Sequence, residues 1–491
     1  MPLLTERSAV DLASAIRGRE TTSVEVLDAH IEMLVRTGAR LNAMVASRFD
    51  HARGQATEVD KQVAQTSMRG GDALDALAPL LGVPFTVSES IAVTNMPQTA
   101  GLIARRDFRA METAEAVKRL TAAGAIPMGV TNTSEGNVGI DSENPVFGRT
   151  SNPYDETRTA GGASGGEAAA VGSGASPFGV ATDSAGSMRI PAMFCGVFGH
   201  KPSAGLVPNS GSWPDVSGED PQTVVIGPVT RKAEDLMPLL RIMAAQPVDQ
   251  PKPKRVKDRQ LELGEPSEVS LDGLVVTVIE DSSLRPMDGA LRDARERTVG
   301  ALASAGAEIR RIKLPSWKRT LIPFLSSLQD GEEERSGVLA LLRETTDPGT
   351  NLRTSLAGSS GHTLSTKLTL LAEAVPEGFG GRGAKLATRA ADLTTELIDA
   401  IGEGVLLHPA HLAVAPRHRR GQWRPWLNTP AALFNLAGVP VTEVPLGLTD
   451  DGLPVGIQVA AGLGADHLSI AIALELEAVF GGWVPPAAPE A

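Results

Sequence analysis

Residues 159–208 read TAGGASGGEAAAVGSGASPFGVATDSAGSMRIPAMFCGVFGHKPSAGLVP, and the reading of the fold begins from this stretch. Its glycines, alanines and serines let backbone amides approach closely whatever occupies the loops. SPFGV at 176–180 is strand-like, ATDSAGS at 181–187 is a loop, and MRIPAMF at 188–194 reads as a helix start. That order predicts Ser187 near a helix N-terminus, where unsatisfied N–H groups stabilise a developing oxyanion. The stretch lacks the GKT or GKS ending of a phosphate loop and the GxGxxG order of a dinucleotide fold, so nucleotide binding is not expected.

Outward from this centre the same alternation recurs. Leu80 to Val87 is an apolar, strand-like run, Glu112 to Ala123 has helical spacing and stops at Gly124, and Ala125 to Val130 is again strand-like. A strand, crossover helix and strand predict a parallel or mixed sheet. A second such unit runs from Leu274 to Ile279, through a helix over Ala290 to Ala305, to Ala307 to Leu314. Two further strands, Val439 to Leu446 and Leu453 to Ala460, flank the turn TDDG, and a helix over His467 to Phe480 follows. Towards the start, Val10, Leu12, Ala13 and Ile16 share a helix face, and Thr22 with Glu25 forms a capping box before Val26, Leu27, Ile31 and Leu34. An N-terminal helical layer is expected over 1–65. Residues 251–270 read as an exposed linker, and 325–400 as an amphipathic helical insert over the pocket, interrupted at Pro348, Gly361 and GFGGRG 378–383. The expected fold class is α/β, a large mixed sheet covered by helices on both faces, in a single domain over 1–491.

Composition narrows the function. The chain has 491 residues, 42% hydrophobic, enough to bury a large core. A formal net charge of −12 and the absence of a long basic run argue against nucleic acid as a partner. The single cysteine, Cys195, excludes an internal disulfide and any multi-thiolate metal site, so no metal or cofactor is expected. Charges throughout the first twenty residues and the lack of an uninterrupted apolar segment predict a soluble, cytoplasmic protein with no membrane span. With aromatic residues at 3%, aliphatic side chains must line any pocket, and Leu321, Ile322, Phe324 and Leu325 are candidates for an acyl-binding wall.

The segment 159–208 resembles the signature of the amidase signature family, whose members hydrolyse carboxamides with a serine, a second serine on a cis peptide, and a lysine. GVPFTVSES (82–90), GVTNTSEGNVGIDSENPVFGRTSNPYD (129–155), FGHKPSAGLVPN (198–209), FNLAGVPVTEVPLGLTDDGLPVGIQVAAG (434–462) and DHLSIAIALELEAVFGGWVPP (466–486) are similar to family segments in the same order. FGHKPS and the closing segments look most like the branch containing the second type of fatty-acid amide hydrolase. The resemblance implies the amidase signature fold and a small-molecule hydrophobic amide or acyl compound as substrate; a homodimer is a further expectation.

Carried across residue by residue, the resemblance places Ser187 at the nucleophile, Ser88 where the family pattern PFTVK has its lysine, and Ala163 where GGSSGG has the bridging serine, with Ser164 retained beside it. The oxyanion loop, GTDxGGS in the pattern, is here ATDSAGS, so Asp183, Ser184, Ala185 and Gly186 are its expected members. Ala181 and Ala185 replace glycines, and an alanine that needs positive φ is strained. A serine hydroxyl needs a base to take its proton, and Ser88 is none at neutral pH. Glu89, Asp183, Glu167 and Lys201 are the nearest alternatives in sequence. Three functions follow: an amidase acting on a C–N bond or acyl group through Ser187 with an altered triad; a catalytically silent relative that binds a ligand or partner; or a repurposed, non-hydrolytic enzyme that uses the oxyanion loop. Asp183 and Arg189 are expected to hold the loop by an ion pair. Ser164 is equally well explained as a helix cap. Cys195 reads as a buried thiol, His200 as a structural histidine in a turn-like stretch, and His408 with His411 as too few ligands for a metal.

Overall fold

The computed structural model describes residues 3–68, 71–214, 224–245, 261, 263–280, 286–314, 362–363, 366, 383–420 and 429–487. The chain runs through α1 (Ala9–Arg17), α2 (Ser23–Leu41), β1 (Met44–Ser47), α3 (Phe49–Ser67), α4 (Gly71–Asp75), β2 (Pro84–Ser88), α5 (Glu115–Ala122) and β3 (Ile126–Thr131). The hairpin β4 (Glu143–Asn144) and β5 (Gly148–Arg149) precedes α6 (Gly165–Gly172), β6 (Phe178–Asp183), α7 (Arg189–Phe194), β7 (Phe198–Lys201), β8 (Val225–Thr230) and α8 (Leu236–Ala244). Then come β9 (Val275–Ile279), α9 (Gly289–Ser304), β10 (Glu308–Ile312), α10 (Gly383–Ile401), β11 (Val405–His408), α11 (Thr429–Leu436), β12 (Val441–Leu448), β13 (Pro454–Ala461) and α12 (Asp466–Phe480).

Eleven strands form one mixed sheet in the order β1-β3-β2-β6-β8-β7-β12-β13-β11-β9-β10. β2 is parallel to β3, in keeping with the first strand, helix, strand unit, and also to β6; β9 is parallel to β10, in keeping with the second unit. The centre is antiparallel: β6 pairs with β8, β8 with β7, β7 with β12 and β12 with β13. Neighbouring residues on a strand face opposite ways. Thr442 bonds Ser469 of α12, while Gln458, the cross-strand partner of Glu443, bonds Arg189 of α7. Helices therefore cover both faces, and the fold is α/β.

Local sequence explains the entry points. The Ser8 side chain accepts the amide of Asp11 at the start of α1, and Thr22 with Glu25 makes the expected capping box on α2. Beneath these helices Leu12, Ile16, Phe85, Val87, Phe178 and Leu236 join one core, with Phe85 and Phe178 stacked at 5.1 Å between adjacent strands. Each such phenylalanine contributes roughly 1.5–3 kcal/mol through burial.

Several boundaries differ from the sequence reading. The strand expected from Leu80 is β2 and begins at Pro84, because Leu80–Val83 is a turn closed by the Val83 amide on the Leu80 carbonyl. His200 is not in a turn: FGHK is the central strand β7, held extended by β8 and β12. Met44–Ser47, within the expected helical layer, is an edge strand on β3. Of the expected insert over 325–400, only His362, Thr363, Thr366 and 383–400 are described, and the candidate wall at Leu321, Ile322, Phe324 and Leu325 lies outside the described residues.

Candidate active site

Ser187 ends the loop between β6 and α7, and its side chain is not a helix cap: α7 begins at Arg189 without a side-chain cap bond. Its Oγ accepts the Ser184 amide at 2.8 Å and donates to the Thr182 carbonyl at 3.0 Å. The loop amides of Gly186 and Ser187 are also engaged, on Asp183 Oδ1 at 3.1 Å and the Ser184 carbonyl at 3.2 Å. Ala185 is the loop residue whose N–H has no protein partner among the described residues, and Ser184 and Ala185 are only half-buried. Ala185 takes φ +59°, the left-handed conformation expected for a position that is glycine in the family pattern. Gly186 at φ +89° cannot be replaced without strain, since a Cβ there lies 2.3 Å from Ala431 Cβ.

A buried ionic network fixes this loop from behind. The Arg189 guanidinium donates to Asp183 through Nε at 2.9 Å and Nη2 at 3.0 Å, to Asn435 Oδ1 at 2.6 Å, to the Ala431 carbonyl at 2.9 Å and to Gln458. Burial alone raises the Asp183 carboxyl, but the Arg189 charge and hydrogen bonds more than offset it and hold the group below its ordinary range. On the same sheet face Glu443 is wholly buried, with neither carboxylate oxygen bonded among the described residues, and burial pushes its carboxyl well up despite Arg189. Sequence reasoning missed Asn435, Glu443 and Gln458; the signal was a polar side chain inside each of the apolar runs FNLAG, VTEVP and GIQVA.

The side of the site opposite the network is differently made. Ser88 ends β2, fully buried, with its Oγ 3.3 Å from Ser90 Oγ. The Gly162–Ala163 peptide is cis, and the Ala163 carbonyl accepts Ser142 Oγ at 2.7 Å, Thr133 Oγ1 at 3.1 Å and the Ser134 amide at 3.1 Å. Ser164 stands at the start of α6, yet its hydroxyl does not cap the helix: it donates to the Thr182 carbonyl at 3.2 Å, the oxygen that also receives Ser187, and its amide donates to the Ser187 carbonyl at 3.0 Å. Gly166 lets α6 approach the end of β3, where a Cβ would lie 2.4 Å from the Asn132 amide nitrogen. Ser164 and Ser187 are thus brought together on one carbonyl.

None of the four alternative bases bonds the Ser187 hydroxyl. Glu89 accepts the Thr99 amide and, at 2.8 Å, the Ala100 amide, and burial pushes its carboxyl up to about 7. Glu167 accepts Thr86 Oγ1 and, at 2.8 Å, Thr131 Oγ1, and burial pushes it up to about 8. Asp183 is bound to Arg189. Burial, aided by the Arg189 charge, pulls the Lys201 ammonium down to about 7, and its Nζ donates to the Pro202 carbonyl at 3.2 Å. His200 bonds Thr442 Oγ1 at 2.9 Å and Asp466 Oδ1 at 3.1 Å. Cys195 is buried, which raises its thiol. His408 and His411 face backbone carbonyls, and among the described residues no three His, Cys, Asp or Glu side chains cluster to hold a metal. Nor is any described helix long and apolar enough to cross a membrane.

A mixed sheet with a serine loop between β6 and α7, backed by an Asp–Arg pair, defines an α/β protein of the amidase type. The family model described as Amidase matches residues 25–469. The chain belongs to the amidase family. It is 37% identical over 99% of its length to fatty-acid amide hydrolase 2-B of Danio rerio, covering 91% of that protein, and 36% identical over 98% to fatty-acid amide hydrolase 2 of Homo sapiens, covering 90%. A crystal structure of an amidase, 26% identical, superposes with a TM-score of 0.77 over 97% of this chain and 100% of its own.

Proposed function

We propose that the chain cleaves or transfers at the C–N bond of a hydrophobic amide, with Ser187 Oγ as nucleophile. The observation that carries this is the hydroxyl itself, held by the Ser184 amide and the Thr182 carbonyl in a loop whose Ala185 N–H has no partner among the described residues. Attack of Ser187 Oγ on the carbonyl carbon opens the C=O double bond to a tetrahedral oxyanion, which that N–H stabilises; collapse re-forms the carbonyl, breaks the C–N bond and expels the amine carrying the hydroxyl's proton, leaving an acyl–serine ester that water or another acceptor cleaves. The relatives named for fatty-acid amides support a hydrophobic substrate. With Ser88 and Ala163 in the positions of the family's lysine and bridging serine, proton removal is the weak step, and turnover rests on oxyanion stabilisation and positioning, which sustain slow catalysis alone.

The test is stoichiometric labelling by a fluorophosphonate probe. The unmutated chain labels and Ser187→Ala does not; equal labelling of both, or of neither, removes Ser187 from the reaction. A second reading, a ligand-binding relative without turnover, is favoured by the same two positions, and predicts a chain that binds amides but never labels.

A further inference from the structure

Glu135 is a buried carboxylate that takes no part in the reaction written above, yet it joins two parts of the molecule far apart in sequence. Its Oε1 meets His362 Nδ1 at 2.5 Å, and its Oε2 accepts the Thr363 amide at 2.7 Å and Thr366 Oγ1 at 2.8 Å. Thr363 Oγ1 in turn accepts the Thr366 amide at 3.3 Å, the pattern of a helix start, where a carboxylate is electrostatically favoured. Glu135 is 1% exposed, and Thr366 is wholly buried.

The turn that carries Glu135 also holds the floor under the nucleophile. Thr133 Oγ1 and the Ser134 amide bond the Ala163 carbonyl. Asn137, at φ +60°, accepts Thr133 Oγ1 at 2.9 Å and donates to Thr182 Oγ1 at 3.1 Å, and the carbonyl of that same Thr182 receives the hydroxyls of Ser164 and Ser187. One face of residues 133–137 therefore grips the serine loop, and the other grips His362, Thr363 and Thr366.

We propose that Glu135 is a positioning residue that docks His362, Thr363 and Thr366 beside the Ser187 loop, so that this segment forms part of the wall against which the acyl chain of the substrate lies. A carboxylate suits the task because it accepts from an imidazole, an amide and a hydroxyl at once, and its desolvation is offset only while all three remain in place. The substrate half of this inference rests on the Ser187 reading; the docking half does not.

The experiment has an arm for each half. Hydrogen exchange followed by mass spectrometry on the full chain should show the peptide containing 362–366 exchanging at least tenfold faster in Glu135→Ala, whereas Glu135→Gln, which keeps an acceptor oxygen, stays nearer the unmutated rate. Unchanged exchange at 362–366 in Glu135→Ala overturns the docking. For the wall, labelling rates are compared for a long-chain alkyl fluorophosphonate and a small one. Thr366→Val and His362→Ala should lose about tenfold in the long-to-short ratio of labelling rates. A preserved ratio in both variants overturns the substrate role while leaving Ser187 as nucleophile. Failure of the unmutated chain to label with either probe overturns the Ser187 reading and the wall together, and the exchange result then stands by itself.

Discussion

The two sides of the serine site differ in how they are held. Behind the loop Asp183–Arg189, a guanidinium makes five hydrogen bonds to Asp183, Asn435, Gln458 and the Ala431 carbonyl, all out of water. At the end of β2 and in the Gly162–Ala163 loop, position 88 carries a hydroxyl 3.3 Å from that of Ser90, and position 163 a methyl group. The first side depends on charges that cannot be removed singly. The second is close-packed and neutral, and substitution there disturbs chemistry more than folding. On the proposed reading of Ser187, positioning and proton removal are therefore separable in one site.

The largest expected effect tests the neutral side. The double variant Ser88→Lys with Ala163→Ser should raise fluorophosphonate labelling and aryl-amide hydrolysis by about 10²–10⁴-fold, the usual contribution of a positioned base. No gain would mean that the pocket has diverged beyond these two positions. Next comes the charged side: Arg189→Met should cost about 3–5 kcal/mol in urea unfolding, because Asp183 is left buried without its partner. Ser88→Ala should cost no more than about 1 kcal/mol, since it removes one weak contact. Similar losses in the two variants would erase the contrast.

A smaller effect appears in the pH dependence of stability. Burial pushes Glu167 up to about 8, and Glu89 and Asp235 up to about 7, from ordinary values of 4.5 and 3.8. The folded chain then keeps protons that the unfolded chain has released, so this stability is complete below the ordinary carboxylate range and is lost as pH rises through about 7 to 8. Lys201, pulled down to about 7, acts in the opposite sense above that pH. Glu167→Gln should therefore flatten the fall in urea midpoint as pH rises towards 8, and an unchanged slope would show that Glu167 is ionised in the fold. The smallest effect is at Ala185, where Ala185→Gly relieves the left-handed backbone and should stabilise by about 0.5–1 kcal/mol in thermal unfolding. A loss instead would place the Ala185 methyl in favourable packing.

Much of the fold was legible because its signals are local. The capping box at Thr22, the glycine stops at Gly124 and Gly306, and the apolar runs at Val275–Ile279 and Pro454–Ala461 each act within a few residues. β7 was not legible: FGHK carries a histidine and a lysine, and only β8 and β12 on either side make it a strand. The site divided along the same line. Ser187, Ser164, Asp183 and Arg189 lie within one segment and were named from it. Glu135, Asn435 and Gln458 act across distances of 227 to 269 residues, which no local pattern encodes.

By itself the sequence determined the alternation of strands and helices, the family, and the residue types at positions 88, 163 and 187, because periodicity, caps and side-chain chemistry are properties of short stretches. The tertiary structure alone decided that Ser164 and Ser187 share the Thr182 carbonyl, that Arg189 takes partners from α11 and β13 as well as Asp183, and that Glu135 holds His362, Thr363 and Thr366. Those facts depend on which surfaces the crossovers bring face to face, and on burial, which makes each charge or hydroxyl there require a partner.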